Sequence, residues 1–325
     1  MADDDDWEVP EPFRPEAAEF RWPLAQRLRS VASLRALVPP DATSVPALGT
    51  EREGSGVWID ASGLLLTIGY LVIEAETIWI TDHAGRAVQG TVLATDFDTG
   101  FGLVQALGRL SEIEVAPLGD SEALAEGAAC VLAAHGGPQR SVACAVAARQ
   151  PFAGAWEYLL DNAIFTAPAH PHWGGAGLFG PDGALVGIGS LIMQQGDGRK
   201  RVDLNMVVPV APLLPVLETM RRTGSTGRPL RPWLGLYATE DEEAVGVGSL
   251  AKGGPAERAG LKPDDRIIAV EGEKVSDLAG LWAAVRRAGP AGARVRMLVR
   301  RGSREMEVAI TSADRARSLK APRLH

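Results

Sequence analysis

The chain has 325 residues, 46% hydrophobic and 23% charged, which is ordinary for a globular protein and enough for two domains with a sizeable core. Its 33 basic against 41 acidic side chains leave a net charge of −8, which argues against a nucleic-acid binder, and no apolar run reaches the length of a membrane span. Two cysteines make no disulfide framework, and the acidic start lacks the basic and apolar regions of a signal peptide, so a reduced, cytoplasmic protein is expected.

Residues 1–22 form an acidic, proline-rich tail with Asp3 to Asp6, Glu8 and Glu11, and Trp7, Phe13, Phe20 and Trp22 spaced through it. The acidity predicts disorder, whereas the aromatics predict that part of it docks on a surface. Leu24, Leu28, Val31, Leu34 and Leu37 keep a helical period up to Pro39-Pro40, with Arg27, Arg29 and Arg35 between them. Residues 54–67 read as a hairpin turned at Ala61-Ser62-Gly63, and 77–81 and 87–94 as strands around His83-Ala84-Gly85-Arg86. Residues 127–134 and 141–148 form another hairpin around Gly136-Gly137-Pro138, and its register would set Cys130 opposite Cys144, as a disulfide or as two packed thiols.

The stretch 164–190 reads as strand, tight glycine loop and strand, with Gly174, Gly175 and Gly177 crowding one bend, and Pro181-Asp182-Gly183 turning a buried hairpin. A strand over 205–210 and a helix over 213–222, with Leu213, Leu214, Leu217 and Met220 on one face, precede a Gly/Pro linker over 223–232. Beyond it, Ser276 is placed to cap a helix from Asp277 to Arg287 whose apolar face carries Leu278, Leu281, Trp282 and Val285, and 295–310 closes as a hairpin. The basic tail, 313–325, reads as frayed. Many short strands with Gly/Pro turns predict a mainly β chain with a pair of barrels.

Several of these stretches resemble trypsin-like serine proteases of the HtrA/DegP type. Gly54-Ser55-Gly56-Val57-Trp58-Ile59-Asp60 and Leu118-Gly119-Asp120-Ser121 follow that family's pattern, as does the glycine loop at 171–178. Gly254-Pro255-Ala256, Ala259-Gly260-Leu261 and Asp265-Arg266-Ile267 are close to its PDZ motif. The resemblance implies a double six-stranded β-barrel over 23–222, the linker, and a small α+β PDZ domain over 233–312. It also implies a possible trimer built by the N-terminal aromatics, and a periplasmic location if the sequence is a mature chain.

The family's histidine, aspartate and serine fall on Tyr70, Gly100 and Gly174, none of which supplies triad chemistry. The leading expectation is therefore a catalytically inactive homologue acting as a peptide-binding scaffold or adaptor. An active endopeptidase in protein quality control, with a rearranged site, is the alternative. His170 and His172, two apart on an extended segment, are weak metal candidates that lack further ligands nearby, and no cofactor is expected. Trp233, Leu234, Gly235 and Leu236 stand where the family's PDZ domains bind a terminal carboxylate, and Leu278, Leu281 and Val285 would form the facing apolar wall. The expected partner is a C-terminal or extended peptide ending in an apolar residue.

Overall fold

Runs of leucine, valine and isoleucine broken by turn residues fold the first part of the chain into antiparallel strands. A computed structural model describes residues 7–108, 110, 112–196, 201–241 and 244–320, so the acidic run Asp3 to Asp6 and the last five residues of the basic tail lie outside the described residues. β1 (Val31–Leu37), β2 (Glu51–Asp60), β3 (Leu64–Ile68), β4 (Thr77–Thr81), β5 (Ala87–Thr95) and β6 (Phe101–Ala106) close into a barrel in the order β1-β2-β3-β6-β5-β4. β7 (Ala129–Ala133), β8 (Ser141–Gly154), β9 (Tyr158–Ala167), β10 (Gly177–Phe179), β11 (Leu185–Gln195) and β12 (Val202–Pro209) close a second, ordered β10-β11-β12-β9-β8-β7. Leu34, Leu65, Leu66, Phe101 and Leu103 are buried in the strands of the first barrel, and Leu132, Ile164, Leu178 and Val207 share one apolar core in the second.

The C-terminal part forms a second unit made of residues 228–319 together with residues 151–161, the outer end of the β8–β9 hairpin. Its sheet runs β13 (Leu236–Glu240), β14 (Val245–Leu250), β15 (Arg266–Val270), β17 (Arg294–Arg301), β18 (Arg304–Thr311), with β16 (Glu273–Lys274) paired to β15. The helix Leu278–Arg287 buries Leu281, Trp282, Ala284 and Val285. The sequence reading kept 151–161 within the barrel domain, and the structure reassigns it.

Four local expectations are corrected. The helical period over 23–37 gives only one turn, Leu24–Arg27, and a 3-10 turn, Leu28–Ser30, before β1. There Leu34 and Ala36 are buried while Arg35 and Leu37 are exposed, a period of two, because β1 pairs with both β2 and β4. The closing helix starts at Leu217 rather than Leu213, since Pro215 has no N–H and restricts the residue before it. Asp277, not Ser276, caps the second-unit helix and accepts from Gly280 N at 2.6 Å. The tail is ordered through residue 320: Asp314 caps the turn Arg315–Ser318.

The cysteine register holds. Cys130 pairs directly with Cys144, both thiols are free and buried, and burial pushes Cys130 up to about 12.

In the second unit the Asp265 carboxylate, with its side chain 0% exposed, accepts from Arg301 Nε at 2.6 Å and Nη2 at 2.7 Å, and from Lys262 N at 2.9 Å. Arg301 foremost holds this carboxyl below the usual range, so the bonds stabilise at neutral pH and the contribution is lost as pH falls through the depressed value. Asp265→Asn should cost about 1–3 kcal/mol in urea unfolding of the full chain at neutral pH, with the gap to wild type shrinking at about pH 3.

Candidate functional site

Two places concentrate the predicted residues. In the first unit, Tyr70 sits in the turn Gly69–Leu71 after β3, and Gly174 in the loop between β9 and β10. The Tyr70 hydroxyl donates to the Ser190 carbonyl at 2.9 Å. A Cβ placed on Gly174 would lie 3.1 Å from that same hydroxyl. Gly100 has φ +87°, and its carbonyl accepts from Gly69 N at 2.6 Å, beside Tyr70. The fold thus brings the three triad-aligned positions together and fills the space between two of them with a phenol. Burial raises the Tyr70 pKa well above its ordinary value, against the pull of a hydrogen bond with Trp173, so the hydroxyl is neutral.

Three of the loop's N–H groups are spent inside the chain. His172 N donates to His170 Nδ1 at 2.9 Å, Gly175 N to the Gly189 carbonyl at 3.0 Å and Ala176 N to the Trp173 carbonyl at 3.0 Å. An oxyanion hole requires such groups to face the reacting carbonyl. The fully buried His170 uses both ring nitrogens, because Nε2 lies 2.9 Å from the Arg140 carbonyl, and burial lowers its pKa to about 4. Its Nδ1 lone pair is taken by the His172 amide, so His170 offers no free donor to a metal, and its ring meets that of His172 edge-on at 6.5 Å rather than side by side. His172 instead stacks on Trp7 at 3.8 Å.

Trp7 belongs to the N-terminal segment, which docks on its own chain: Val9 is buried and its N–H reaches the Gln139 carbonyl at 2.9 Å, and Trp22 is buried near Phe179. A cleft of about 410 Å³ is lined by Trp7, Tyr70, His135, Arg140, His172 and Trp173, among others. The sequence suggested that the tail aromatics dock but not that one of them reaches this cleft. His83 is exposed; His135 is half-buried, with Nε2 3.1 Å from the Asp82 backbone carbonyl. Ser55 Oγ accepts from the His135 backbone N at 3.1 Å, and the Asp82 carboxylate is taken up by Ala84, Arg86 and the Arg86 guanidinium. Ser55, His135 and Asp82 are therefore neighbours without the side-chain relay of a triad.

The second place is the groove of the second unit. Gly235 takes φ +74°, curling the loop so that neighbouring N–H groups converge. What they meet is the Glu157 carboxylate: Leu234 N donates at 2.9 Å, Leu236 N at 2.8 Å, and Gly235 N joins them. Trp233 is not part of this cradle, since its backbone pairs with Ala313 in both directions at 3.0 and 2.9 Å. Leu281 and Val285 are buried in one apolar cluster with Leu234, Leu236 and Leu159, and Leu278 packs at its edge. Glu157 was missed from sequence. Its one local signal is an acidic residue at the tip of an otherwise small and aromatic stretch, Phe152-Ala153-Gly154-Ala155-Trp156.

The chain matches the trypsin-like peptidase domain family over residues 54–188 and the PDZ domain family over 246–301. It is 26% identical to a putative serine protease HhoA of Synechocystis over 80% of this chain and 70% of that one. It is 25% identical to a probable periplasmic serine endoprotease DegP-like of Halomonas elongata over 80% of this chain and 56% of that one, so it spans little more than half of that relative. An HtrA-type protease AlgW variant solved with a tripeptide superposes with TM-score 0.55 at 20% identity, covering 94% of this chain and 97% of that one. Among the described residues no helix is long and apolar enough to cross a membrane.

Two outcomes follow from the geometry. A Cβ on Gly175, at φ +76°, would fall 1.8 Å from the Ser55 carbonyl, whereas on Gly174 its nearest neighbour is 3.1 Å away. Gly175→Ala should lower stability by about 3 kcal/mol or more, and Gly174→Ala by less than about 1.5 kcal/mol, in thermal or urea unfolding. Burial pushes Glu157 up to about 7, against the Leu236 and Leu234 amides and the Arg315 guanidinium, which also faces Tyr237. A raised carboxyl binds its proton more tightly when docked, so the docked tip gains stability as pH falls below about 7 and loses it as pH rises through that value. Hydrogen exchange at the Leu234 and Leu236 amides, corrected for the intrinsic rate, should be several-fold more protected at pH 5.5 than at pH 8.

Proposed function

We propose that this HtrA-like chain, a trypsin-like domain joined to a PDZ domain, is a catalytically inactive member of its architecture that works by binding the C-terminal segment of a protein partner. The observation that carries the first half is the Tyr70 hydroxyl, 3.1 Å from the point where a side chain on residue 174 would begin. Acyl transfer in this fold needs a nucleophile touching a base that a carboxylate orients. Here the nucleophile position is glycine, a neutral phenol fills the space beside it, and the third position holds a left-handed backbone that a side chain strains. The rearranged-site alternative has less support, because the His135 ring is directed to a backbone carbonyl rather than to a hydroxyl and a carboxylate.

The second half rests on the groove. The curled loop at Leu234, Gly235 and Leu236 offers converging N–H groups, already satisfied by a carboxylate, beside the apolar wall of Leu281 and Val285. This is the chemistry that captures a peptide's free C-terminus with an apolar last residue. The expected cytoplasmic location has no support from the relatives, one of which is named periplasmic, and we favour the periplasm.

The purified protein should neither turn over casein nor label with a fluorophosphonate; stoichiometric labelling of any serine would sink the inactive reading. Tyr70→His, Gly100→Asp and Gly174→Ser together should still give no turnover, because φ +87° at Gly100 opposes an aspartate and the loop's N–H groups stay committed.

A further inference from the structure

The β8–β9 hairpin lends its outer end, residues 151–161, to the second unit. That segment repeats the contacts of a C-terminal peptide in the groove. The Ala238 N–H of β13 donates to the Ala155 carbonyl at 2.8 Å, and two and four residues earlier Leu236 and Leu234 donate to Glu157. The turn at the tip, residues 155–157, thus meets the free edge of β13 through one backbone bond and reaches the curled loop through the Glu157 carboxylate. Leu159 is buried in the apolar cluster with Leu234, Leu236, Leu281 and Val285, where a terminal side chain would insert. Two side chains of the helix hold the tip from the other side: Trp282 Nε1 donates to the Gly154 carbonyl at 2.7 Å, and the Arg286 guanidinium donates to the Leu159 carbonyl.

Resting on the peptide-capture reading of the groove, we propose that the hairpin tip is its resident, displaceable occupant. Glu157 stands in for a terminal carboxylate, Leu159 for the terminal apolar side chain, and an external C-terminal peptide binds by taking their place. A peptide would end at the curled loop; this chain has to turn back, and it does so at Glu157 with φ +62°, a left-handed conformation unusual for a residue with a side chain. A segment needed only to fill space would carry an apolar residue there, since desolvating a carboxyl costs stability that an apolar filler avoids. Every cradle contact of the tip is to a backbone N–H that a peptide carboxylate would satisfy equally. The exchange conserves those bonds, so the barrier to binding is the fraction of time the tip is out.

The test is fluorescence anisotropy with labelled decapeptides ending in free Val, Leu, Ile or Phe. They are titrated into three full-length proteins: wild type, Glu157→Ala, and a form with residues 153–158 replaced by an Asn-Gly turn. The second variant guards against a folding defect in the first, and thermal unfolding checks all three. Both variants should bind the best peptide at least about tenfold more tightly than wild type, as expected when a tethered competitor is removed. Amidating the peptide should abolish binding to all three. Equal affinity for the three proteins overturns the displacement proposal and leaves peptide capture standing. Absence of binding to all three, the tip-less form included, overturns peptide capture itself and the displacement with it.

Discussion

The first unit depends on one place where two barrels meet backbone to backbone. Ser55 N donates to the Gly174 carbonyl at 2.8 Å, and the Ser55 carbonyl accepts from Thr67 Oγ1 at 2.7 Å. A Cβ on Gly54 would lie 2.6 Å from the Gly174 carbonyl, and one on Gly175 only 1.8 Å from the Ser55 carbonyl. No side chain fits between strand and loop at that approach, so the glycines at 54 and 175 are required by packing, whatever chemistry the site performs. The same approach fixes the shape of the loop that carries Gly174. Residue 174 is the one position in the contact whose missing side chain would point into the cleft, and there Tyr70 has taken the room.

Much of this was legible. The strand-rich pattern, the glycine loop, the cysteine register and the order of the motifs all rest on local chemistry, and each is present in the fold. The helical period over 23–37 misled because its leucines fit periods of both 3.6 and 2, and only the pairing of β1 with two neighbours decides between them. The substitutions at Tyr70, Gly100 and Gly174 could be read from sequence, but their mutual contact could not: 120 residues separate Tyr70 from the Ser190 carbonyl it holds. Glu157 and the loop it caps are 77 residues apart, and no periodicity links them. Long-range polar contacts of this kind leave no trace in a single sequence.

Glu157 is held by two opposed effects. Removal from water disfavours its charge, while the Leu236, Leu234 and Gly235 amides and the half-buried Arg315 favour it; burial wins, and the carboxyl's pKa rises to about 7. A peptide's α-carboxyl ordinarily titrates about one unit below a glutamate side chain, and the same burial would raise both, so in the same cradle it keeps its charge to a slightly lower pH. In the proposed exchange the cradle bonds themselves are conserved, and this difference in charge favours the terminus.

Both candidate sites are filled by the chain itself, yet the fillings differ in kind. In the cleft the occupant is Tyr70, fixed in a short turn and bonded to Ser190 across the barrel junction. Moving it would leave a carbonyl unsatisfied and open a cavity. In the groove the occupant is the end of a hairpin held by the Glu157 carboxylate on backbone amides, by backbone carbonyls that accept from Ala238, Trp282 and Arg286, and by the packed Leu159 and Ala153. A partner can reproduce each of those without disturbing the sheet beneath. On the reading proposed above, an exchange of occupant is open to the groove and closed to the cleft.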